Sequence, residues 1–202
     1  MGLASARRAK GMDKKAESLF FENPATDRSP PGDFGLLYLL RRDINQCMEH
    51  EILWPGAMAI LAGTDLLGKF MAGEDEKAVG LRFRSFIMRY FDSATHDDAE
   101  VIYQLRNSLL HSFGLYAKSK TSEYRFQLVF DKGNALIHRT SPTNFRIDLA
   151  RLHNSFEVSV EKYRQDLLTD VALQGKFMAM FPNYGKISIE GEPDNAVTRG
   201  NP

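Results

Sequence analysis

The chain contains a single cysteine, Cys47, and that scarcity removes two possibilities at once. No intrachain disulfide can form, and no thiolate cluster can hold a metal. Within LRRDINQCMEHEI the thiol falls among helix-spaced apolar residues, where an inert buried sulfur is the expected state. An excess of one charge is equally missing. Lys plus Arg number 26 and Asp plus Glu number 26, so there is no global basic field of the kind a duplex-binding protein carries. Contact with nucleic acid would have to come from a local patch. Long hydrophobic runs are absent as well, none approaching the ~18 to 20 apolar residues of a membrane span. The basic start, MGLASARRAKGMDKK, lacks the apolar segment of a secretory signal, and Ala6 stands where a myristoylation site needs Ser or Thr. A cytoplasmic protein with no membrane association is the expectation.

The sequence does have enough apolar material, 43% of 202 residues, for one domain with a well-buried core. Residues 1–32 close on a stretch dense in Pro, Ser, Asp and Gly and predict a flexible basic, Pro-rich arm. Structure is expected to start at Asp33 as an N-cap, with Leu37, Leu40, Ile44 and Met48 at helical spacing as far as His50. Pro55 suits the first turn of a second helix over 56–72. A third helix is predicted over about 76–91, and a fourth, capped by Thr95 or Asp97, as far as Phe113. YRFQLVF then alternates like a half-buried strand, DKGN supplies a turn and ALIHRT returns, predicting a β-hairpin at about 124–140. SPTNF reads as a linker to a long last helix, along which Leu149, Leu152, Phe156, Val160, Tyr163, Leu167 and Val171 keep helical spacing. Residues 183–202 read as a tail with one short strand. The fold class predicted is therefore mainly α: an antiparallel bundle of four to five helices, with a hairpin inserted before the last one, in a single domain over 33–182.

GTDLLGKF fits G-x-x-x-x-G-K, but Phe70 stands where a phosphate-binding loop needs a hydroxyl, and the flanking pattern is helical. Gly63 and Gly68 are better read as positions where another helix packs closely. Among the histidines, His50 suits a helix end, and His96 with Asp97 and Asp98 suits a helix start rather than a metal site. His138 falls on a predicted strand and His153 early in the last helix, both as structural residues. His111 is left.

In YQLRNSLLHSFGLY an arginine, an asparagine and a histidine interrupt an otherwise apolar helix. At ~100° per residue Arg106 falls inside the apolar arc, while His111 lies about 140° away from it and shares a face with Gln104 and Asn107. A guanidinium on an apolar face needs a carboxylate, an anion or water. Two readings stay open. In one, Arg106 reaches a carboxylate such as Asp65 or Glu100, and its neighbours decorate the surface. In the other, Arg106 binds a phosphate and His111 moves a proton.

RNSLLH also resembles the R-N-x-x-x-H motif of the HEPN superfamily, helical bundles with this motif on a late helix. The resemblance spans roughly residues 34–116. It implies a metal-independent endoribonuclease of toxin or RNA-processing type, using no cofactor. The 2′-hydroxyl would attack the adjacent phosphorus, with His111 assisting proton transfer, Arg106 holding the phosphate and Asn107 orienting one of them. It also implies RNA or a nucleotide as ligand and a homodimer. The 140° divergence is consistent with two copies each contributing a residue. Arg82, Arg84 and Arg89 are candidates for extending the positive, substrate-binding surface, or else solvated helix charges. The alternative within the same resemblance is a non-catalytic module that binds a nucleotide or a partner, such as an antitoxin or a nucleotidyltransferase.

Overall fold

The computed structural model describes residues 12–22, 32–76, 78–130 and 135–189, which form seven helices and six strands. The first, α1 (Lys14–Phe21), is started by Asp13, whose carboxylate accepts from the Lys15 and Ala16 N–H groups at 2.8 and 3.4 Å. Phe20 and Phe21 are buried and stack with Phe70 and Phe177, so this stretch of the expected arm belongs to the core. Two adjacent aromatics outweigh the polar context, since each buries on the order of 150–250 Å². The rest of that arm, 1–11 and 23–31, lies outside the described residues.

Asp33 is not a helix cap. It sits in β1 (Gly32–Gly35), which pairs antiparallel with β6 (Lys186–Ile189), and it accepts from Lys186 and from Ser188 Oγ. This small sheet joins the segment that leads into α2 to the last described residues. The domain therefore extends beyond the expected 33–182 on both sides, although 190–202 of the tail lies outside the described residues. Gly35 permits a close crossing there, because a Cβ on it would stand 1.9 Å from the Leu19 carbonyl oxygen.

Helices α2 (Leu36–Glu49), α3 (Leu53–Ala72), α4 (Val79–Tyr90) and α5 (His96–Ser112) follow the predicted periodicity closely. Helix α3 is the axis against which α2, α4 and α5 pack, together with the two later helices. GTDLLGKF is continuous α3. A Cβ on Gly63 would stand 2.7 Å from the Phe156 ring, and one on Gly68 3.3 Å from the Arg82 carbonyl oxygen, so both glycines do serve close packing.

The hairpin expectation is corrected. Strands β2 (Tyr116–Lys118), β3 (Glu123–Val129), β4 (Ile137–Arg139) and β5 (Asn144–Asp148) form one sheet in the order β2-β3-β5-β4. Strand β5 separates β3 from β4, running parallel to the first and antiparallel to the second. NFRID, expected as part of a linker, pairs on both sides and buries Phe145 and Ile147 against the helices. Its alternation is too short to stand out from the turn residues before it. The DKGN turn itself, 131–134, lies outside the described residues.

The long last helix is in fact two. Helix α6 (Leu149–Thr169) stops at Asp170, whose N–H bonds the Asp166 carbonyl while its carboxylate accepts from Leu173 N at 3.0 Å to open α7 (Val171–Tyr184). One aspartate thus closes one helix and caps the next. The molecule is mainly helical, and among the described residues no helix is long and apolar enough to cross a membrane.

Candidate functional site

Helix α5 carries the site, and both of its ends are fixed by local chemistry. Thr95 accepts from Asp98 N at 3.1 Å while Asp98 accepts from Thr95 N at 3.1 Å, the reciprocal capping box. His96 and its acidic neighbours therefore start a helix, and among the described residues no three His, Cys, Asp or Glu side chains gather as a metal-binding group. At the other end Phe113 adopts φ 47°, ψ 45°, and both its N–H and that of Gly114 turn back to the Ser108 carbonyl. A left-handed backbone is unfavourable for a residue with a Cβ. Phe113 is also 71% exposed, its ring 5.7 Å from that of half-buried Trp54. Sequence reasoning missed this aromatic pair, one partner on α3 and the other just past the end of α5.

Arg106 occupies the apolar side of α5 as the helical wheel expected, with only 9% of its surface exposed. Its Nη2 donates to Asp65 Oδ2 on α3 at 2.8 Å, so Arg106 does reach one of the two carboxylates considered for it. Glu100, the other carboxylate considered, instead accepts from Arg84 at 3.1 Å and from Gln104 at 2.7 Å. Asp65 Oδ1 and Arg106 Nε are buried without hydrogen-bond partners, so this pair is only partly satisfied.

The expected divergence of Arg106 and His111 is corrected. Arg106 Nη1 lies 2.5 Å from His111 Nε2 and donates to Asn107 Oδ1 at 3.2 Å. The wheel describes where Cα–Cβ bonds point, whereas a guanidinium on a long, flexible stem can run along the helix to the next turn. No second copy is needed to bring the two groups together. A guanidinium only donates, so a hydrogen bond across this contact requires Nε2 as the accepting nitrogen. His111 is exposed and Asn107 half-buried. The cluster therefore has a buried side, where Asp65 holds the cation, and an open side at the imidazole.

The remaining predicted site residues do not join it. Arg84 pairs with Glu100 and lies over the Tyr103 ring. Arg89 pairs with Asp166 at 2.7 Å. Arg82 and Arg89 line a cleft of about 380 Å³ with Leu81 and Lys176, which contains none of the Arg106 cluster. Of the other histidines, His50 ends α2, exposed His138 lies on β4 and His153 is half-buried on α6, as expected. Burial holds the His153 pKa below its ordinary value, with Glu157 opposing and Arg41 reinforcing the shift. The chain matches no protein-family model, no curated protein and no solved structure, so the reading of this cluster rests on its own residues and geometry.

Proposed function

We propose that this protein is a metal-independent endoribonuclease with a HEPN-like bundle, acting through Arg106, Asn107 and His111. The observation that carries the reading is the meeting of guanidinium, amide and imidazole at the open end of one helix, with Arg106 Nη1 at 2.5 Å from His111 Nε2. In the resting cluster Arg106 engages the imidazole lone pair. A scissile phosphate arriving at Nη1 competes for that N–H and frees Nε2. His111 then takes the proton of the RNA 2′-hydroxyl, and the 2′-oxygen forms its bond to phosphorus. The P–O5′ bond breaks, leaving a cyclic phosphate and a 5′-oxygen that receives a proton from the imidazolium. Arg106 stabilises the charge on the non-bridging oxygens, while Asp65 keeps the guanidinium oriented. Asn107 holds the other edge of Nη1.

One observation favours a second reading. Asp65 already neutralises Arg106, which suits a non-catalytic module that binds a nucleotide or a partner such as an antitoxin or nucleotidyltransferase. A homodimer is compatible with either reading.

The deciding measurement is cleavage of single-stranded RNA in excess EDTA. Wild type cuts, His111→Ala loses on the order of 10²–10⁴ in rate as expected for a removed general base, and Arg106→Lys loses most activity while staying folded. An intact substrate with wild type, or undiminished cleavage by His111→Ala, overturns the nuclease reading. A tightly co-purifying partner indifferent to His111→Ala supports the module instead.

A further inference from the structure

The four-stranded sheet buries one face only. Along β3, buried Phe126 and Leu128 alternate with exposed Arg125 and Gln127, and along β5, buried Phe145 and Ile147 alternate with half-buried Asn144 and Arg146. The register carries this alternation across the sheet. Tyr116, Arg125 and Asn144 form one row, Gln127, Arg146 and His138 the next, and Lys118 stands beside Glu123 at the edge. The open face is therefore basic and amide-rich, and it carries an exposed tyrosine whose ring lies 5.3 Å from the Arg125 guanidinium.

Among the described strand residues of this face the carboxylates are Asp148 and Glu123. Asp148 is 1% exposed and caps α6, accepting from Ala150 N and Arg151 N. Glu123 lies only loosely between Lys118 and Arg125, at 3.6 and 3.9 Å. Two depressions mark the surface. One of about 200 Å³ is lined by Arg125, Gln127, Asn144 and Arg146. The other, of about 480 Å³, is lined by Lys118, Lys120, Thr121, Glu123 and Thr143 around the β2–β3 turn. In a chain with no net charge this is a local concentration of cations, the kind of patch that nucleic-acid contact requires here.

We infer that the open sheet face binds single-stranded RNA, deepening the nuclease reading on which it rests. Lys118, Lys120 and Arg125 neutralise backbone phosphates, Tyr116 offers a stacking surface, and Gln127 and Asn144 present amides to base edges. Flat placement of cations, amides and an aromatic suits an unpaired strand better than an acidic peptide, which has no base to stack. The chain also links the face to the cluster. Tyr116 follows His111 by five residues, a span of at most ~18 Å, so RNA lying on β2 is within a few nucleotides of the imidazole.

The test is fluorescence anisotropy with a labelled, uridine-rich single-stranded RNA, titrated at several salt concentrations in EDTA on the His111→Ala background. A Lys118→Gln/Lys120→Gln/Arg125→Gln triple variant should bind more weakly. Its slope of log K against log salt should be shallower by about 2, from three lost phosphate contacts at ~0.7 each. Glu123→Gln should move both quantities the other way, which no loss of folding would do. Side chains exposed at 67% for Lys118 and 62% for Arg125 leave the fold intact, checked by circular dichroism. Unchanged affinity and slope in the triple variant, no binding by the parent at low salt, or displacement of RNA by polyglutamate charge for charge overturns the inference. RNA bound but never cut by wild type sinks the nuclease reading and keeps this one. RNA cut by wild type but bound identically by the triple variant does the reverse.

Discussion

Replacing Arg106 by alanine leaves the Asp65 carboxylate, at 14% side-chain exposure, without its cation, and replacing Asp65 strands a guanidinium that is 10% exposed. Removing one partner of a buried ion pair costs about 3–5 kcal/mol, because the survivor stays desolvated and uncompensated. The lower end applies here, since the His111 side of the cluster is open to water. Each single alanine variant should therefore lose about 3 kcal/mol in urea unfolding with an unchanged m-value. The double variant Asp65→Ala/Arg106→Ala leaves no stranded charge. It should fall short of the sum of the singles by about 2 kcal/mol, within the coupling seen for contacting pairs. The missing partners of Asp65 Oδ1 and Arg106 Nε make the pair less than ideal, and they predict that Asp65→Leu/Arg106→Met recovers most of the loss. Single losses under about 1 kcal/mol, or additive ones, would mean that the pair behaves as a solvent-screened surface bridge. Arg106 would then have no buried anchor from which to meet a phosphate.

Phe113→Gly relieves the left-handed backbone at φ 47° and should stabilise the protein by about 0.5–1 kcal/mol in thermal or urea unfolding, less what the Trp54 ring contact contributed. If the exposed ring stacks on a base beside His111, the same variant should bind RNA more weakly, and equal binding would remove Phe113 from the site. His153 supplies a pH test. Its folded pKa lies below the ordinary ~6.5, so the unfolded chain binds the extra proton first. That contribution to stability is fully present above ~6.5 and is lost as pH falls through the folded value. His153→Leu should flatten the stability profile over this window, and an unchanged profile would show that the half-buried imidazole does not set it.

Helix positions α2 to α5 were legible because the apolar period of each is long; of their four N-termini only that of α5 is also marked by a side-chain cap, Thr95 with Asp98. The helix break at Asp170 was not, since Leu167 and Val171 keep helical spacing across it while the backbone turns. Burial of Phe20 and Phe21 was hidden by the polar stretch that follows them. In the candidate site, the residue types and the buried position of Arg106 could be read from the wheel, and Asp65 was one of two carboxylates considered. Convergence with His111 could not, because side-chain length and rotamer lie outside a helical projection.

The sequence alone determined the mainly helical class, the helix register that turns Arg106 inward, and the absence of a global field to attract nucleic acid. These are local quantities, set by composition and by spacing within one segment. Tertiary structure decided which carboxylate meets Arg106, whether Arg106 and His111 meet within one chain, and that β5 enters between β3 and β4 to spread one basic face. Those outcomes depend on contacts between segments far apart in sequence, such as Asp65 with Arg106 and Phe126 beside Phe145. Many such pairings share the same local patterns, and only packing of the whole core selects among them.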